Sequence, residues 1–262
     1  MIKKALKAIL GQKLIDKIKQ REVKREPLVI PQDNPEEIAL RKNFYKQFVK
    51  QGDVTFDVGA NVGNRISPML ELGANVIAIE PQEYCKQVLM AKFGNKIQLE
   101  PFGLGEKEEV KEFFISNAST ISSFSKDWIE SVKQDRFKEY TWNKVQKVQM
   151  TTLDNLIKKH GRPVFIKIDV EGYEPEVLKG LHQAVPCISY EYTTPEQTSK
   201  AIECLEHIAS LSKHVVCNYS EGESMELSLS EWVSKEKMLE IINSESFINT
   251  GFGDIYVKSE VE

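Results

Sequence analysis

The stretch Val54-Thr55-Phe56-Asp57-Val58-Gly59-Ala60-Asn61-Val62-Gly63-Asn64-Arg65, followed by Asn75-Val76-Ile77-Ala78-Ile79-Glu80-Pro81, constrains this chain more than any other feature. It has the pattern of a strand, a glycine turn, a helix and a second strand ending in an acid. That is the first half of a nucleotide-binding unit. Glu80 lies 21 residues after Gly59 (80 − 59), close to the separation of about 20 between a glycine turn and a ribose-binding carboxylate.

The turn is D-x-G-x-N-x-G. Asp57 stands where a dinucleotide fingerprint has its first glycine. A carboxylate there repels a pyrophosphate docking on the helix N-terminus and attracts a cation. S-adenosylmethionine carries an ammonium and a sulfonium and no phosphate. Its own carboxylate can use backbone N–H groups around Gly59 to Gly63. The residues therefore favour this cofactor over NAD. The plainer alternative is that Asp57 caps the turn and the glycines only pack.

Beyond that unit, apolar runs and amphipathic segments alternate. Strands are expected at 54–58, 75–80, 97–102, 164–169, 187–192, 214–219 and 252–258. Helices are expected at 36–51, 64–72, 83–93, 153–159, 174–180, 196–211 and 234–243. Runs such as Val76-Ile77-Ala78-Ile79 suit strands buried on both faces. The alternation predicts an α/β, doubly wound, Rossmann-like sheet, with ligand bound beyond the carboxyl ends of its strands.

Two regions depart from this rhythm. About 60 residues separate Gly105 from Val164, more than one crossover needs. Val110–Ile115 and Val145–Met150 fit extra strands, and the aromatic and serine-rich residues between them suit either a substrate cover over 106–150 or a subdomain with its own core. The segment 220–250, with Trp232 and Phe247, is expected to help shape the acceptor pocket. Residues 1–26 carry nine Lys/Arg and three acids, with Ile2, Leu6, Ile9, Leu10, Leu14 and Ile18 at helical spacing. Such a basic amphipathic helix either packs on the domain or contacts an anionic membrane surface or a protein partner. With a proline linker at Pro27, Pro31 and Pro35, the expected division is 1–35 and 36–262.

A second dense segment is Phe165-Ile166-Lys167-Ile168-Asp169-Val170-Glu171-Gly172-Tyr173-Glu174. Lys167 and Asp169 share a strand face. A lysine in a central strand needs a counter-charge, and Asp169 or Glu191 can supply it. Asp169, Glu171 and Glu174 gather where strand gives way to helix, and part of that pattern is ordinary helix capping. The cluster can bind the ammonium end of a cofactor, deprotonate a hydroxyl or hold a divalent metal. No metal is assigned.

Asp57-Val58-Gly59-Ala60-Asn61-Val62-Gly63, Ile79-Glu80-Pro81, Thr152-Leu153-Asp154-Asn155-Leu156, Lys167 to Glu174 and Val177-Leu178-Lys179-Gly180 together resemble the FkbM-type methyltransferases, as do Glu191 and the closing Gly253-Asp254-Ile255-Tyr256-Val257. The resemblance covers roughly residues 40 to 258. It implies a class I methyltransferase sheet of seven strands, the last antiparallel and inserted near the edge; the long stretch over 106–150 then stands as an insertion between strands 3 and 4. It further implies S-adenosylmethionine as cofactor and O-methylation of a sugar, glycan or natural-product hydroxyl.

The expected site follows. Gly59, Asn61 and Gly63 shape the cofactor turn, Asp57 orients the methionine end, and Glu80 binds the ribose. Phe102 and Gly103 border the adenine. Asp169 or Glu171 deprotonates the acceptor or binds the cofactor amine. An NAD-dependent oxidoreductase and a non-catalytic scaffold are the alternatives. Net charge is −4 and the pI about 5.8, which gives no electrostatic footprint for nucleic acid. Cys85, Cys187, Cys204 and Cys217 form no C-x-x-C pair, no apolar run reaches about 20 residues, and no secretory signal is visible. A cytoplasmic protein is expected, with residues 1–26 available to the inner membrane face.

Overall fold

The computed structural model describes residues 28–261. Contacts divide the chain into units 1–30 and 31–262, and the architecture below is that of the second. The basic helix expected over residues 1–26 lies outside the described residues.

Helix α1 (Pro35–Tyr45) begins where Asn34 accepts a hydrogen bond from the Glu36 N–H, with Pro35 in the first turn, where a missing N–H costs nothing. It is shorter than the expected 36–51. Lys46 ends it, and the Lys50 N–H donates to Asp53 at 2.8 Å across the turn into β1 (Val54–Val58). The first half of the sheet continues as α2 (Ile66–Glu71), β2 (Asn75–Ile79), α3 (Glu83–Phe93) and β3 (Ile97–Glu100). The insertion holds β4 (Gly103–Leu104), β5 (Val110–Ile115), α4 (Lys126–Val132) and β6 (Lys144–Thr151). The second half follows as α5 (Leu153–His160), β7 (Phe165–Ile168), α6 (Glu174–Lys179), β8 (Cys187–Thr193), α7 (Thr198–Ser210) and β9 (Val215–Glu221). The chain closes with β10 (Val233–Ser234), α8 (Lys235–Ile242), α9 (Glu245–Ile248) and β11 (Phe252–Ser259).

The main sheet has the order β10-β9-β11-β8-β7-β1-β2-β3. Strands β8, β7, β1, β2 and β3 are parallel, and β11 runs antiparallel between β8 and β9. The seven expected strands are all there, but the sheet has eight. The extra strand, β10, pairs antiparallel with β9 over two residues, too few to show a period in the sequence.

Both faces of the sheet are covered. Phe56, Val58, Ile166, Ile168 and Ile188 belong to one core cluster. On the other face Val76, Ala78, Phe165 and Tyr256 pack with Phe44 and Tyr45 of α1. Period-2 alternation puts Asp57 and Lys167 on this second face, as Cα partners across β1 and β7.

The insertion folds as a three-stranded sheet, β4-β6-β5, with a small core of Ile121, Trp128, Ile129 and Val132. It is also fastened to the main sheet. Trp128 packs against Gly172, where an added Cβ would come within 2.4 Å of the indole. Lys200 on α7 donates to the Gly172 carbonyl at 2.7 Å and to Ser125 at 3.2 Å. Among the described residues no helix is long and apolar enough to cross a membrane.

Trp128 is 1% exposed and joins the insertion to the loop after β7. Trp128→Ala should destabilise the protein by about 3–5 kcal/mol, measured by urea denaturation. A loss below about 1 kcal/mol would show that the insertion's core is separable from the rest.

Candidate active site

The carboxyl ends of β1, β2, β7 and β8 open into one cavity of about 360 Å³, within the range of about 300–1,000 Å³ usual for small-molecule sites. Asp57, Gly59, Asn61 and Glu80 line one side, Phe102 and Gly103 a second, and Asp169, Glu171 and Glu191 a third. The insertion contributes Phe113, Ser119, Thr120, Ser122 and Phe124. It therefore has its own core and also forms a wall of the site. Of the expected site residues Gly63 alone lies outside the lining; its φ is +87° and an added Cβ would meet the Phe93 ring at 2.4 Å, so it packs the turn onto α3.

The glycine turn is held by its own hydrogen bonds. The Gly59 and Ala60 N–H groups donate to the Ile79 carbonyl at 3.0 and 3.1 Å, and Gly63 donates to Ala60 at 2.8 Å. The Asn61 N–H donates to Glu80 at 2.8 Å. The expectation that the N–H groups around Gly59 to Gly63 are available to a ligand carboxylate is narrowed by this pattern: four of the five are already engaged inside the protein, leaving that of Val62. At Gly59 φ is +82°, and an added Cβ would lie 1.8 Å from the Asp169 carbonyl oxygen. Only glycine allows the turn after β1 to touch the loop after β7.

Glu80 is 2% exposed and also accepts from the Gln82 N–H at 2.7 Å. Burial pushes its pKa up to about 7, against the pull of those two N–H donors. Each oxygen keeps a lone pair that a ribose hydroxyl can use. Asp57 is also 2% exposed, and its Oδ2 has no hydrogen-bond partner. Burial raises its pKa to about 6, opposed by Lys167 and Arg65. A buried carboxylate oxygen left unpaired at a cavity wall calls for a hydrogen-bond donor, a role an ammonium can fill.

Lys167 is 2% exposed. Its Nζ lies 2.6 Å from Asp169 and 3.7 Å from Asp254. Of the two expected counter-charges, Asp169 or Glu191, it is Asp169 that pairs with the lysine; the second is Asp254, the Cα partner of Glu191 in the β8–β11 register. Burial works to lower the Lys167 pKa, but the two aspartates outweigh it and the net shift is upward. Burial likewise works to raise Asp169, and Lys167 outweighs it, holding that carboxyl below the usual range.

The three acids of the segment after β7 separate into two roles. Glu174 accepts from the N–H groups of Val170 and Gly172 at 3.0 and 3.2 Å and shapes the loop. Glu171 faces the cavity from a backbone with φ +56°, a conformation that costs a non-glycine residue about 1–3 kcal/mol. Ser123 of the insertion helps hold it there, donating to the Glu171 carbonyl at 2.7 Å. Carboxylate oxygens of Asp169, Glu171 and Glu191 all lie within 4.8 Å of one another. Burial and the Asp169 charge hold Glu171 and Glu191 well above ordinary carboxylates.

Trp232 and Phe247 are not at the cavity. Trp232 packs near Phe48 and Lys258, and Phe247 is buried against Tyr192 and Tyr219. An apolar core took up the aromatics, and Glu223 is the residue of that segment that lines the site. Arg41 and Arg65 line it too. The sequence pattern passed over all three. Arg65 at the end of the glycine motif was the one available signal.

A doubly wound sheet whose carboxyl ends gather a glycine turn, Asp57 and Glu80 around one cavity has the architecture of a nucleotide-cofactor fold. Residues 57–218 match the model of the methyltransferase FkbM domain, and the chain belongs to that family. It is a methyltransferase, and the family implies S-adenosylmethionine as cofactor. The Asp57 carboxylate oxygen that lacks a hydrogen-bond partner at the cavity wall fits that cofactor's ammonium end.

Solved structures similar to this chain include a precorrin-6y C5,15-methyltransferase from Geobacter metallireducens (11% identity, 90% of this chain and 91% of that one, TM-score 0.44). Others are an rRNA methylase from Streptococcus thermophilus (12%, 89% and 99%, 0.41) and an O-methyltransferase from Thermotoga maritima (12%, 95% and 72%, 0.42). The family assignment rests on the match over residues 57–218. No curated protein matches the chain.

Asp57, Glu80 and Glu174 have folded pKa values of about 6, about 7 and about 7, raised mainly by burial. A carboxyl raised above its unfolded value of about 4 contributes stability below that value and loses it as pH rises through the folded one. Glu171 and Glu191 act in the same sense. Asp169, lowered, contributes its stability above its unfolded pKa and loses it only in stronger acid. The melting temperature of the ligand-free protein should therefore fall between about pH 5 and about pH 7.5, and Asp57→Asn should flatten the fall. A melting temperature that rises over this window would contradict the buried-carboxylate description.

Proposed function

We propose that the protein is an S-adenosylmethionine-dependent O-methyltransferase acting on a hydroxyl of a sugar, glycan or natural-product acceptor. The observation that carries this reading is the convergence of Asp169, Glu171 and Glu191 on the cavity that the glycine turn and Glu80 also line. Cofactor wall and proton acceptors share one space.

The cofactor supplies a methyl group already activated on a sulfonium, so the protein's task is alignment, water exclusion and removal of one proton. Glu80 holds the ribose hydroxyls. Phe102 and Gly103 border the adenine. Asp57 faces the ammonium end, and Gly59 and Asn61 shape the turn beneath it. Glu171, or Glu191 beside it, takes the proton of the acceptor hydroxyl as its oxygen bonds to the methyl carbon. Their raised pKa values make them stronger bases than free carboxylates, and a nearby sulfonium favours the charged form that accepts the proton. Asp169 stays ionised beside Lys167 and supports a cationic ligand without accepting the proton.

The wall from the insertion supports a neutral, hydroxylic acceptor. Ser119, Thr120 and Ser122 offer hydroxyls, and Phe113 and Phe124 offer flat apolar faces. A nucleic acid would bring phosphates toward three carboxylates. The four cysteines are all buried and unpaired, in keeping with a cytoplasmic, reducing setting.

The test is methyl transfer from labelled S-adenosylmethionine to a panel of glycans and hydroxylated natural products. Glu171→Gln should lower kcat by about 10²–10⁴-fold with cofactor affinity changed only a few-fold; if Glu191 is the base, Glu191→Gln shows that loss instead. Full turnover in the double variant would remove the carboxylate-base reading.

A further inference from the structure

This inference rests on the cofactor reading above. An α-amino acid end carries ammonium and carboxylate on one carbon, so a site that recognises it needs an acid and a base side by side. Asp57 supplies the acid. The turn has little left for the carboxylate, because four of the five N–H groups from Gly59 to Gly63, those of Gly59, Ala60, Asn61 and Gly63, are engaged with Ile79, Glu80 and Ala60, leaving only that of Val62.

The cavity wall offers two guanidiniums instead. Arg65 immediately precedes α2 and is 8% exposed; Arg41 comes from α1. Arg65 is close enough to Asp57 for the two to act on each other electrostatically. A carboxylate is already seated on this pair. The Glu223 oxygens lie 2.6 and 2.5 Å from Arg65 Nη2, and one is 3.7 Å from Arg41 Nη2. Arg41 Nε is buried without a hydrogen-bond partner. Glu223 follows the turn at Gly222, and its side chain is 53% exposed, so it can return to water at little cost.

We propose that Arg65, with Arg41 behind it, receives the α-carboxylate of the cofactor, and that Glu223 is an internal stand-in which the ligand displaces. The site is then complementary to a zwitterion: Asp57 to its ammonium, Arg65 to its carboxylate. Glu223 acts as a latch that closes the charge pair when no ligand is bound and keeps a buried guanidinium from standing unpaired.

The experiment compares two ligands by calorimetry on the full chain. S-adenosylhomocysteine has the amino-acid end; methylthioadenosine keeps the adenosine and the sulfur but lacks it. Glu223→Gln should bind S-adenosylhomocysteine about 3–10-fold tighter, and Arg65→Gln about tenfold or more weaker, with methylthioadenosine changed less than about twofold in both. Parallel changes for both ligands overturn the proposal, as does unchanged or weaker S-adenosylhomocysteine binding in Glu223→Gln. Should Arg65→Gln not fold, the Glu223→Gln comparison decides alone. If wild type binds neither ligand, the cofactor reading itself falls. If it binds both with equal affinity, only the carboxylate receptor falls.

Discussion

Lys167 carries an ammonium group into the middle of the parallel strands, where it is buried at the cavity floor and three aspartates stand around it. Asp169 is 2.6 Å away and Asp254 3.7 Å, and Asp57 is its Cα partner on β1. Burying that charge is costly unless it is paired, and burying those carboxylates without it would be costlier. The lysine therefore sets the charge state of the whole floor. It keeps Asp169 ionised, draws Asp57 down from where burial alone would put it, and only partly offsets burial and the Asp169 charge at Glu171 and Glu191.

The cavity sets its carboxylates against Lys167, Arg41 and Arg65, so it is a poor host for a polyanion such as a pyrophosphate and a good one for a ligand that brings positive charge. The fold makes the same choice in its backbone. The glycine turn of a dinucleotide-binding protein offers N–H groups to a pyrophosphate. Here the corresponding groups close on Ile79, Glu80 and Ala60, and the turn meets the loop after β7 at Gly59. The insertion completes the enclosure. Ser123 fixes the left-handed Glu171, while Trp128 and Lys200 secure Gly172 beside it. The strained loop at the end of β7 is thus held from both sides, by the sheet and by the insertion, with its acids facing the cavity.

Much of this was legible in the residues, for physical reasons. The short apolar runs expected as strands at 54–58 and 75–80 form β1 over Val54–Val58 and, one residue shorter than expected, β2 over Asn75–Ile79. The extra strands at Val110–Ile115 and near Val145–Met150 carry their own pattern. Asp57, Glu80, Phe102, Asp169 and Glu171 meet in one cavity because a parallel sheet gathers the carboxyl ends of its strands. The remainder depends on contacts far apart in sequence. Glu223 meets Arg65 across 158 positions, and Asp254 reaches Lys167 from the last strand. Trp232 and Phe247 show the opposite failure: aromatic residues in a site-adjacent segment look available to a ligand, but burial in a core is the commoner use of their area. The split between Glu171 and Glu174 was equally hidden, since only the hydrogen bonds from Val170 and Gly172 distinguish a loop-shaping acid from one facing a cavity.

The central claim is that this acidic cavity binds S-adenosylmethionine through Asp57 and Glu80. Calorimetric titration of the purified protein with S-adenosylmethionine, with NAD as control, tests it most directly. The account predicts saturable one-to-one binding that is lost in Glu80→Ala and weakened in Asp57→Ala, with no heat from NAD. Cofactor affinity unchanged in both variants, or binding of NAD in preference, would contradict it.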